Sequence, residues 1–178
     1  MRTVLINFLL FQAGWFACVL GGANGMPWLG PVIVAGIILY HLKQSQRPSS
    51  EAKLILLAVV LGTVWDSLLV SMGWLDYSSG MLMAYLAPYW IIAMWALFST
   101  TLNVSLKWMK GRMLLAAVFG AVGGPLAYYA GYKLGAVAVP DITVAMLALG
   151  IGWAVLMPVL MLLSDRYNGF DLLQQARS

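Results

Sequence analysis

From Leu54 to Gly73 the chain runs for twenty residues with a single charge, Asp66. A run of that length is enough to cross a bilayer, since about 20 residues at 1.5 Å each cover the 30 Å hydrocarbon core. Five more apolar runs flank it, at roughly 4–22, 28–42, 81–103, 113–131 and 142–163. Lipid supplies no hydrogen bonds to a peptide backbone, so runs of this kind must satisfy themselves as helices. The expectation is an all-α polytopic membrane bundle of six transmembrane helices. Residues 1–178 would form a single integral membrane domain, ending in a short cytoplasmic tail over 164–178. Composition agrees, with 62% hydrophobic and 9% charged residues and a mean hydropathy of +0.88. A soluble domain carries about 25% charged residues.

The breaks between runs are short. Ala23-Asn24-Gly25-Met26-Pro27 contains two helix breakers and reads as a tight turn. Pro31 lies near the start of the second run, where proline is tolerated. Lys43–Lys53 is the most polar stretch and is expected as a loop, with Ser49-Ser50-Glu51 capping the third helix. Trp74–Gly80 reads as an aromatic-rich turn at the membrane interface. The first run follows Arg2 as a signal peptide would, but no small-x-small cleavage site follows, so it reads as a retained helix.

Basic residues set the orientation. With six spans, Arg2, Lys43, Arg47, Lys53, Lys107, Lys110, Arg112, Arg166 and Arg177 fall on one side and only Lys133 on the other. Both termini are therefore expected in the cytoplasm. The net charge of +4 belongs to those loops facing anionic lipid, and no nucleic-acid partner is expected. Lys107, Lys110 and Arg112 set topology first and are also candidates for anionic lipid headgroups.

Many chemistries are excluded by what is missing. Cys18 is the only cysteine and His41 the only histidine, so there is no disulfide framework, paired-His haem site or Cys/His metal site. No P-loop, cysteine pair or acidic pair for a di-metal site is present. No metal or cofactor is expected, and the catalytic repertoire is thin.

A carboxylate in the middle of a membrane helix costs about 2.5–3.5 kcal/mol on insertion scales and normally faces protein or a wet cavity. At helical spacing, Thr63, Asp66, Ser67, Ser71 and Trp74 share a face of the third run. Tyr85, Tyr89, Ser99 and Asn103 share a stripe of the fourth, and both stripes should turn inward. Counting 1.5 Å per residue puts Trp15, Tyr89, Trp90 and Gly123-Gly124-Pro125 at the depth of Asp66. The candidate ligand- or proton-binding residues are Asp66, Trp65, Ser67, Tyr89, Trp90, Trp15, Gln12, Gly124, Pro125 and Tyr128. A structural role for Asp66 as a protonated hydrogen-bond donor weighs as much as a ligand role. Packing is the first reading of Gly123-Gly124-Pro125, ahead of a broken helix lining a cavity. Asn7 and Gln12 read first as inter-helix glue. His41, at the cytoplasmic end of its helix, lies too far from Asp66 to pair with it.

Tyr89-Trp90-Ile91 to Trp95, Thr101–Trp108, Gly123–Gly131 and Trp65-Asp66-Ser67 together resemble a domain-of-unknown-function family of small proteobacterial inner-membrane proteins. The resemblance covers nearly the whole chain. It implies no established activity or catalytic residue, and a setting close to fatty-acid or phospholipid modification. The expected function is non-enzymatic: binding a lipid-like molecule, or supporting lipid-modifying partner proteins in the membrane. The alternative is a small transporter or proton-coupled carrier using Asp66 as its titrating group, with a lipid-acting enzyme ranked last.

Overall fold

A computed structural model describes residues 2–170 of the chain. Six α-helices follow in order: α1 (Arg2–Ala23), α2 (Leu29–Gln44), α3 (Pro48–Ser71), α4 (Tyr89–Leu102), α5 (Met113–Lys133) and α6 (Ile142–Arg166). A single 3-10 turn, Lys107–Met109, lies between α4 and α5. α1, α3, α5 and α6 are each long and apolar enough to cross a membrane. α2 and α4 have 16 and 14 residues, or about 24 and 21 Å of helix, which is short of a full span.

Three boundaries differ from expectation. α4 begins at Tyr89 rather than at residue 81, because Pro88 holds an extended conformation at its N-cap. A residue before proline is also steered away from the helical region. The segment 81–88 is therefore irregular, and Tyr85, expected to face inward, is 73% exposed. The polar stretch 43–53 is mostly helix: α2 continues to Gln44 and α3 starts at Pro48, leaving three linking residues. Proline is pre-shaped for a first helical position. Arg47 takes the N-cap position with no side-chain cap bond, and Glu51 points into the protein instead of capping. α5 runs unbroken through Gly123-Gly124-Pro125. The Ala121 carbonyl, which Pro125 cannot bond, lies against Gly150 of α6. Finally, α6 extends past 163 to Arg166, and Tyr167–Phe170 folds back as a hook. The rest of the expected tail, 171–178 with Arg177, lies outside the described residues.

The helices alternate in direction. Asn7 near the start of α1 donates to Thr100 O near the end of α4, and Asn103 donates to Tyr167 O beyond α6. Arg2 and Phe170 thus share one end of the bundle, the termini end. At the opposite end, Asp76 and Ala138 form an antiparallel β-bridge between the α3–α4 and α5–α6 links. α4 is the hub and packs on α1, α2 and α3, with Trp90, Trp95, Leu97 and Leu102 at most 3% exposed. α5 and α6 form a hairpin that reaches the other helices mainly through α6.

Four tryptophans are seated on glycines of neighbouring helices: Trp95 on Gly62, Trp65 on Gly152, Trp153 on Gly124 and Trp90 on Gly22. Close approach through small residues is what drives association where lipid removes the hydrophobic incentive. A Cβ on Gly62 would come within 1.9 Å of the Trp95 ring. Gly62→Ala is accordingly expected to cost about 1–3 kcal/mol through overpacking. A lowered thermal midpoint of the purified protein would register it, and an unchanged midpoint would contradict the contact.

Candidate functional site

Between α1, α4, α5 and α6 lies a cavity of ≈ 340 Å³. Its walls carry Phe8, Phe11 and Trp15 from α1, Trp95 and Phe98 from α4, Gly123 and Tyr128 from α5, and Trp153 from α6. α1 and α5 flank it without packing closely on each other. Phe8 and Phe119 on its two edges remain 49% and 40% exposed. It is therefore a cleft open sideways, between helices, rather than a sealed void. From Ile91 to Thr101 along α4 it extends about 15 Å.

Ring geometry makes the inner wall rigid. Trp95 and Trp153 stack with centroids 4.8 Å apart and planes 10° apart. Phe98 meets both edge-on, and Phe11 meets Phe98 edge-on. Arrangements of this kind contribute about 0.5–1.5 kcal/mol per pair beyond area burial.

Asp66 stands behind this wall. Its Oδ2 accepts from Trp95 Nε1 and its Oδ1 from Tyr128 OH, both at 2.5 Å. The residue is fully buried, and it does not itself line the cleft. A single carboxylate from α3 thus orients one ring of α4 and one of α5, holding both against the cavity. Charge-assisted bonds are the strong class of hydrogen bond, and low polarity around them strengthens the electrostatics further.

The other candidates divide. Of the layer expected at the depth of Asp66, Trp15 and Gly124 line the cleft, and so do Gln12 and Tyr128. Trp65 does not; its ring fills the notch at Gly152. Ser67 accepts from the Ala87 amide, fastening the α3–α4 link. Trp90, expected in the same layer, faces elsewhere: its Nε1 donates to Ser79 O and its ring meets Tyr77 edge-on. Tyr89, at the first position of α4, is not part of the lining, nor is Pro125. Among the basic candidates, Lys107 and Arg112 are exposed. Lys110 is turned inward instead, donating to Asn103 Oδ1 at 2.6 Å and Ser164 O at 3.1 Å. Burial lowers the pKa of its ammonium, with Asp165 opposing the shift.

A second polar centre, at the termini end, was not expected. Glu51 is 0% exposed. Its Oε2 pairs with His41 Nε2 at 2.8 Å, while Oε1 accepts from Asn103 Nδ2 and the Gly169 amide, each at 2.7 Å. With Lys110 attached through Asn103, this network joins α2, α3, α4 and the hook after α6. By sequence, Glu51 reads as part of a helix cap and His41 only as too distant from Asp66 to pair with it. The available signal was their spacing, ten residues apart across a short polar link, which suits two antiparallel helix ends.

Fold and site together define an all-helical protein with four membrane-length apolar helices and a lateral aromatic cleft. A family model described as protein of unknown function (DUF2878) matches residues 4–159; the chain belongs to that family. No curated protein and no solved structure matches it.

Proposed function

We propose that the protein is a bacterial inner-membrane protein with six membrane-embedded helices and both termini in the cytoplasm. Residues 1–178 act as one integral membrane domain, which binds a lipid-like molecule without catalysing its conversion and so supports lipid-modifying partner proteins. The observation that carries this reading is the cleft itself. A volume of ≈ 340 Å³ is at the small end of ligand sites and suits one chain or one ring system. Its opening between α1 and α5 would face the acyl chains, so a lipid enters sideways without crossing water. The orientation rests on the nine-to-one division of basic residues. Lys107 and Arg112, both exposed, are the residues that would meet anionic headgroups at the cytoplasmic face.

Gly123 provides the test. A Cβ there would meet nothing nearer than Phe119, at 3.8 Å, so a larger side chain can enter the cleft without breaking helix packing. Gly123→Phe is expected to reduce co-purified lipid at least about tenfold, as read by native mass spectrometry, while leaving the thermal midpoint in place or raised. Equal retention by variant and wild type, or none by either, would overturn the reading.

A further inference from the structure

We infer that the cleft takes a neutral lipid carrying an uncharged carbonyl or hydroxyl group, held at mid-bilayer depth by Gln12. The inference rests on the lipid-binding reading above and narrows it to a ligand class. Gln12 is the eleventh of the 22 residues of α1, about 15 Å from either helix end. Gln12 lines the cleft and is only half-buried, yet its carboxamide makes no hydrogen bond to any described residue.

An amide at the centre of a membrane span normally finds a partner. Asn7, one and a half turns earlier on α1, does so: it donates to Thr100 O and accepts from Ser105 Oγ. Most other polar groups of the lining are engaged, the exception being Trp153, whose buried indole N–H also has no partner. Thr101 Oγ1 donates to Phe98 O, Trp95 and Tyr128 donate to Asp66, and the Ser105 hydroxyl donates to Asn7. Trp15, three residues beyond Gln12 and on the same face, also leaves its indole N–H without a partner. Gln12 and Trp15, a turn apart, thus both line the cleft with hydrogen-bonding capacity to spare.

The absence of charge selects the ligand. No Lys, Arg, Asp or Glu lines the cleft among the described residues. A phosphate or carboxylate drawn to the bilayer centre would find no counter-ion there, and the cost of burying it unpaired is large. A ketone, ester or alcohol loses far less on desolvation and can bond the Gln12 amide, either as acceptor from its NH2 or as donor to its oxygen. The aromatic walls then hold the hydrocarbon on both sides of that group.

The probes are dodecane, dodecanol, decyl methyl ketone and dodecyl phosphate, titrated into the full chain in lipid nanodiscs and followed by tryptophan fluorescence. The comparison variant is Gln12→Leu, which keeps the side-chain volume and removes the amide. Dodecanol and the ketone are expected to bind wild type about tenfold more tightly than Gln12→Leu, with dodecane unchanged between the two. Dodecyl phosphate is expected to bind neither. Equal binding of alcohol and ketone to both proteins, or preferential binding of dodecyl phosphate, would overturn the assignment of ligand class while leaving the cleft a lipid site. No response of wild type to any probe would overturn the lipid-binding reading itself. A thermal midpoint of Gln12→Leu at or above that of wild type confirms that a loss of binding is not a loss of fold.

Discussion

Glu51→Ala is expected to destabilise the protein by about 3 kcal/mol or more, the cost of removing the shared acceptor of several buried donors. The carboxylate is fully buried and serves three donors at once, His41 Nε2, Asn103 Nδ2 and the Gly169 amide. Alanine would leave all three without an acceptor in a region that water does not reach. The Gly169 amide loses its acceptor while its carbonyl keeps only the Ser45 hydroxyl and the amides of the α2–α3 link, so the hook after α6 should loosen first. Limited proteolysis near residue 167 and a thermal midpoint lower by about 10 °C would register the two effects. Glu51→Gln keeps one acceptor oxygen and should fall between alanine and wild type. If alanine left both the midpoint and the cleavage pattern unchanged, the network would have no stabilising role.

Asp66→Ala is expected to cost about 3 kcal/mol or more, from two charge-assisted bonds lost and two buried donors stranded. Here the consequence is local to the cleft. Trp95 Nε1 and Tyr128 OH would lose the acceptor that orients them, so tryptophan fluorescence should broaden and retained lipid should fall. Asp66→Asn keeps one acceptor and should recover part of the loss. That pair of variants also addresses the carrier alternative. A proton-carrying Asp66 would lose activity in cells as asparagine, whereas a carboxylate that positions rings would tolerate it better. The complete burial of Asp66 and the engagement of both its oxygens favour positioning.

Hydropathy located the six helices within a few residues, and the exceptions have definite causes. The segment 81–88 is apolar enough for a span, but Pro88 stops helix there. The stretch 43–53 is polar enough for a loop, but helix termini at an interface are polar too, and Pro48 begins one. Trp15 and Gly124, which line the cleft, were legible at the depth of Asp66 because depth follows from counting residues along a span. Depth says nothing about which way a ring faces. Trp65 and Trp90 lie near the right level and point elsewhere, one into Gly152 and one toward Ser79.

The chain's composition and pattern by themselves determined an all-helical, membrane-length architecture with a costly carboxylate in its third helix. Those are one-dimensional properties: transfer energy and helical rise depend on a residue and its near neighbours. Only the tertiary structure decided that Asp66 backs the aromatic wall instead of lining the cleft, that Glu51 gathers the termini end, and that Gln12 faces the cleft unpaired. Each of these depends on which distant helix presents a glycine, a ring or a donor at the same depth. In a bundle held by close packing, that match is set by three-dimensional fit and leaves no periodic trace along the chain.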